Sequence, residues 1–177
     1  YGGGIYAYPS NAVTMTATSA SDADDNGVEV TIVGLDTNYE PLEETVTLAG
    51  AGTATTTGEF LRVFRAFVSG TQATTDDIGI TNGVTVYAAI VTEYQQTLMA
   101  LYTIPKGKRG YLVAANISVE KAQAAEALLK VRVFGGVMRT QGLVTTFGTP
   151  FQRVWQIPPV FDEKTDIEIR AYALVES

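Results

Sequence analysis

The chain has 177 residues, a net charge of −7 and a sequence pI near 4.5, with 46% hydrophobic and only 18% charged residues. It contains no Cys and no His, which excludes disulfides, thiolate metal sites, a Cys nucleophile, Ser-His-Asp triads and H-E-x-x-H zinc sites. The acidic balance lacks the basic footprint of a nucleic-acid binder; carboxylate-only chemistry of the glycosidase kind survives the exclusions.

Residues 1–10 read as an N-terminal arm. Tyr1, Tyr6 and Tyr8 stand in a Gly-rich segment expected to lack a core of its own. Tyrosines so placed can anchor onto a neighbouring subunit, which makes these three the interface candidates. Removing residues 1–10 is expected to leave the domain folded. The chain opens on Tyr1-Gly2-Gly3-Gly4 and not on Met, as a processed or partial form would.

Residues 12–18, 27–33 and 44–48 alternate apolar with polar side chains, the period-two pattern of half-buried strands. Between the first two lies SDADDNG, Ser21 to Gly27, the densest run of carboxylates. Asp22, Asp24, Asn26 and Gly27 match the opening of a calcium loop, D-x-D-x-N-G. That motif closes with a bidentate Glu at its twelfth position, which here is Val33, and its flanks read as strand. The loop therefore reads as a hairpin turn. Glu43 and Glu44 are neighbours on a strand and so point to opposite faces, unable to act on one substrate. Asp76-Asp77 and Asp162-Glu163 fall in turn-like stretches.

Phe60 to Val68, FLRVFRAFV, is predicted as one strand covered on both faces, with Arg62 and Arg65 leading their heads outward. Further strands are predicted over residues 84–90, 96–104, 111–119, 128–134, 137–146, 154–157 and 167–174. Lys106, Lys108 and Arg109 flank Gly107 in a turn. EKAQAAEALL, Glu120 to Leu129, is composed of helix formers and reads either as a short helix or as a loop leading into a strand. Gly135-Gly136 predicts a two-residue hairpin, and Pro158-Pro159 places Trp155 to Ile157 at an edge or corner. Trp155 is expected to pack there in preference to stacking on a sugar. Arg132, Arg139, Arg153 and Arg170 are expected to form cross-strand ion pairs with Glu168 and its neighbours.

These elements give an all-β fold, an antiparallel β-sandwich or jelly roll, with at most one short helix near 120–128. A composition shift around residues 92–96 divides it into two stacked subdomains, 11–93 and 94–177, with one continuous domain as the alternative. No apolar run approaches the roughly 20 residues that span a bilayer. No catalytic, cofactor or metal residue is assigned.

The succession VEVTIVGLDTNYEPLEETVTL, FLRVFRAFV, QTLMALYTIPKGKRGYLV, VFGGVMRT and EKTDIEIRA, over residues 27–174, resembles a virion structural protein of tailed bacteriophages of marine bacteria. The resemblance rests on segment order and supplies no catalytic residues. It implies a non-enzymatic β-sandwich component on the particle exterior, of the capsid-decoration type, with tail or fibre placement next. The implied partners are further copies in a symmetric homo-oligomer and the major capsid protein or another virion protein. No cofactor, nucleic acid or membrane is expected. The alternative is a carbohydrate- or receptor-binding module that meets a host surface glycan.

Overall fold

The computed structural model describes residues 5–20, 23–50, 52–119 and 124–174. Among these residues there is no helix. Every strand pairing among them is antiparallel, and the chain forms two compact units that divide between Met99 and Ala100.

The first unit contains β1 (Val13–Ser19), β2 (Glu29–Leu35), β3 (Pro41–Thr47), β4 (Thr53–Phe60), β5 (Arg62–Val68), β6 (Ile78–Thr81), β7 (Val86–Val91) and β8 (Gln96–Thr97). They form one sheet in the order β3-β2-β5-β8-β7-β6-β1-β4. Its two edges, β3 and β4, are consecutive in the chain and meet again in space, so the sheet is nearly closed on itself. The seam is held by a side chain. The Glu44 carboxylate on β3 accepts from the Thr57 N–H (2.7 Å), the Thr57 hydroxyl (3.1 Å) and the Gly58 N–H (2.8 Å) on β4. Met15, Val30, Ile32, Phe60, Val63, Ile78, Ile80 and Ile90 fill the interior, each fully buried.

FLRVFRAFV is not one strand. The chain turns a corner at Leu61, where β4 ends and β5 begins. A bulge then shifts the pairing of β5 with β2, from Val33 opposite Arg65 to Gly34 opposite Val63. A Cβ on Gly34 would lie 1.9 Å from the Arg62 carbonyl oxygen, so only glycine permits this approach. The corner and bulge break the expected alternation, and Arg62 and Val63 are both buried.

The second unit contains β9 (Leu101–Thr103), β10 (Gly110–Tyr111), β11 (Ala114–Ile117), β12 (Ala124–Arg132), β13 (Arg139–Phe147), β14 (Phe151–Val154), β15 (Val160–Phe161) and β16 (Asp166–Leu174). A four-stranded sheet runs β13-β12-β16-β9, and two ribbons pair β10 with β15 and β11 with β14. Its small core is Ile104, Val131 and Phe161, with Leu112, Leu129 and Ile167 packed against it.

Residues 124–129 of the expected helix are strand. β12 is paired along its length on both sides, by β13 and by β16, and those ladders override the helix propensity of Ala, Glu and Leu. Residues 120–123 lie outside the described residues. The Gly135-Gly136 hairpin is longer than two residues. A turn spans Val133 to Gly136, closed by Gly136 N–H to the Val133 carbonyl (2.9 Å), with Gly135 at φ 74° in the third place, as a type II turn requires.

Candidate functional site

The interface candidates separate on inspection. Tyr1 lies outside the described residues. Tyr6 is buried, and its hydroxyl oxygen accepts from the Val63 N–H at 2.9 Å. Its ring packs edge-on against Tyr8, with centroids 4.7 Å apart, and tilted against Tyr87 at 6.4 Å. Tyr8 is half-buried and lies over the Arg62 guanidinium, which also faces the Tyr39 ring. The segment expected to lack a core thus contributes Tyr6 to the core of the first unit. Sequence reasoning took the glycines around Tyr1 as a measure of the whole arm, whereas Ile5 to Pro9 carries larger side chains.

SDADDNG holds a buried charge. Asp22 lies outside the described residues, and Asp24 and Asn26 are exposed. Asp25, absent from the calcium pattern, is fully buried. Its Oδ2 accepts from the Ser19 hydroxyl (2.5 Å) and the Thr74 hydroxyl (2.6 Å); its Oδ1 accepts from the Thr75 N–H (2.6 Å) and hydroxyl (2.8 Å). Burial opposes the charged form, but the bonds from Ser19, Thr74 and Thr75 outweigh it and hold the pKa at about 2. Val28 N–H closes the turn on the Asp25 carbonyl, with Gly27 at φ 93°. This carboxylate staples the loop after β1 to the segment before β6.

Glu43 and Glu44 point apart. Glu43 is exposed, while Glu44 spans the seam described above. Burial raises the Glu44 pKa and the bonds from Thr57 and Gly58 lower it further, leaving it below its ordinary value. Asp77 is likewise held low, by the Thr92 N–H and hydroxyl. Asp25, Glu44 and Asp77 therefore accept structural hydrogen bonds.

The arginines of the second unit take three different roles. Arg132 pairs with Asp166 directly across the β12–β16 ladder (2.5 and 2.8 Å), and Asp166 also accepts from the buried Thr103 hydroxyl (2.6 Å). Arg170 pairs with Glu168 on its own strand, two residues away. The Arg153 guanidinium lies 5.0 Å from the Trp155 ring centroid, and Arg139 is exposed on β13. In the 106–109 turn, Gly107 N–H donates to Glu163 and Arg109 meets Asp162 at 3.5 Å. Trp155 is half-buried at the corner after β14, where its backbone N–H donates to the Val113 carbonyl.

The most distinctive surface of the chain is apolar. Among the described residues, fourteen of the nineteen exposed large hydrophobic side chains belong to the second unit, which holds only four of the twenty-two buried ones. Leu143, Phe147 and Tyr172 are exposed on one face of the four-stranded sheet. Against the other face, the β11–β14 ribbon encloses a cleft of about 310 Å³, lined by Leu129, Val144, Phe151, Trp155 and Ile169 among others. A second cavity, of about 440 Å³ and largely polar in its lining, opens in the first unit beside Arg62, Tyr39 and Glu59.

Sequence reasoning missed this surface because period-two alternation marks an apolar face without saying whether anything covers it. The available signal was the absence of charge from Thr140 to Gln152. No protein-family model, no curated protein and no solved structure matches the chain.

Proposed function

We propose that the chain is a non-enzymatic structural subunit that acts by assembling. Its first level is a symmetric homo-oligomer, and its setting is the exterior of a tailed-phage particle. The observation that carries the reading is the inverted distribution of apolar side chains in the second unit, where exposed ones outnumber buried ones. Leu143, Phe147 and Tyr172 share one sheet face, and grouped apolar exposure of this kind marks an interaction site. Copies joined through such a surface remove it from water, and many such contacts on a lattice reinforce one another by multivalency.

The phage setting rests on the order of strand segments in the sequence, and the major capsid protein or another virion protein is the partner it names. Sedimentation velocity of the purified chain from low to high micromolar concentration tests the assembly. A discrete oligomer is expected, and a monomer throughout would count against it. Antibody labelling of native particles tests the setting. Labelled particles support it, and unlabelled particles from a lysate that contains the chain remove it.

A further inference from the structure

We propose that β13 is the edge at which a second copy of this chain adds its own β13, antiparallel about a two-fold axis at Thr145. Two four-stranded sheets then become one continuous sheet of eight. The inference rests on the assembly reading and names the surface that performs it.

Open strand edges recruit other strands, and folded proteins blunt them with short length, charge, proline, bulges or a covering element. The edges of the first unit meet at the Glu44 seam. The four-stranded sheet of the second unit has two edges, and β9 at one of them is only three residues long. β13 at the other has nine residues, contains no proline and carries one charge, Arg139, at its start. Its one irregularity is a bulge at Gln141, skipped between the pairs Leu129–Gly142 and Lys130–Thr140. Gly142 to Phe147 is regular strand with an open side.

The occupant follows from charge and register. The chain carries −7 and repels copies of itself on average. From Thr140 to Gln152 it has no charged residue, so this edge can meet its own image without like-charge cost. A two-fold perpendicular to the sheet sets residues of equal parity opposite one another and keeps each face continuous. An axis at Leu143 or Val144 would draw the bulged Gln141 into the pairing. An axis at Thr145 avoids it.

Thr145 then faces itself, Val144 faces Thr146 of the second copy, and Leu143 faces Phe147 of the second copy. Leu143 is 57% exposed and Phe147 69% exposed in the single chain. Two aromatic–aliphatic pairs thus flank a Thr–Thr pair on one face, all favoured cross-strand partners. Directly opposed threonines already share hydroxyl hydrogen bonds in the first unit, Thr16 with Thr55 (2.9 Å) and Thr31 with Thr45 (2.7 Å).

The absence of cysteine makes the register directly readable. Thr145→Cys is expected to give a covalent dimer on mild oxidation or with a short bifunctional thiol reagent. Leu143→Cys alone is expected to give none with the same reagents, because its two copies sit four residues out of register, about 13 Å apart. Leu143→Lys, at an exposed position, is expected to weaken association at least tenfold in sedimentation velocity while leaving circular dichroism unchanged. An oligomer that is not cross-linked through Thr145→Cys and that tolerates Leu143→Lys overturns the β13 edge and leaves the assembly reading standing. A wild-type chain that stays monomeric at high micromolar concentration overturns both.

Discussion

Asp25 carries a charge that no solvent reaches. A buried carboxylate is costly unless donors replace its water, and the hydroxyls of Ser19, Thr74 and Thr75 with the Thr75 N–H do so. Its pKa falls from 3.8 to about 2 on folding. The folded value is depressed, so the stabilisation is fully present above the unfolded value. It is lost as pH falls from about 4 through about 2, and its size is about 2 kcal/mol. Asp25→Asn turns an acceptor-only group into one whose NH2 faces donors. It is expected to cost about 3 kcal/mol and to flatten the loss of stability between those pH values. Urea melts of both proteins at pH 7 and pH 3 measure the effect.

Tyr6 gives a second outcome at this scale. Deletion of residues 1–10 was expected from the sequence to spare the fold, and the burial of Tyr6 against Tyr87 and Val63 reverses that expectation. Tyr6→Ala is expected to destabilise the first unit by about 3 kcal/mol or more, as large-to-small changes of buried aromatics do. The midpoint of chemical denaturation reads it.

Among the elements, the seam between β3 and β4 is the join made by a side chain instead of a backbone ladder. Glu44→Gln keeps one acceptor and places an amide N–H against the β4 donors. It is expected to speed hydrogen exchange at the Thr57 and Gly58 amides about tenfold, with exchange in the β2–β5 ladder unchanged. The strands were legible where alternation was long and uninterrupted, as in β1, β2, β3, β13 and β16. β4 and β6 were not, because Gly52 to Gly58 and Asp76 to Thr81 look like turns when only Thr, Gly and Asp are counted. FLRVFRAFV hid a corner, since neither the bend at Leu61 nor the close approach of Gly34 to Arg62 has a local signature. The partners of Asp25 are equally invisible from sequence; Thr74 and Thr75 come from nearly fifty residues away.

For the whole molecule, the contrast between the two units has a measurable consequence. Among the described residues, the first unit holds eighteen of the twenty-two buried hydrophobic side chains, and its sheet is nearly closed. A chain ending at Met99 is expected to unfold cooperatively on its own and to remain monomeric. A chain starting at Ala100 is expected to associate or precipitate, because its few core residues leave most of its apolar surface in water. Calorimetry and light scattering of the two halves check both outcomes. The seam expected near residues 92–96 and the division at Met99–Ala100 differ by a few residues, because β8, Gln96–Thr97, pairs with β5 and β7 of the first unit.

The order of the units along the chain also sets what emerges first during synthesis. The self-contained sheet precedes the apolar one, and domains generally fold as units as the ribosome releases them. β1 to β8 find all their sheet partners within the first unit, so none of them needs β13 to complete its pairing. β12 meets β13 first across a short hairpin, and β16 arrives to cover its other side. The open strand is therefore displayed after the first unit has its partners. On the β13 proposal, copies made on neighbouring ribosomes of one message join by that strand after their own folding, so that assembly and misassembly are separated in time.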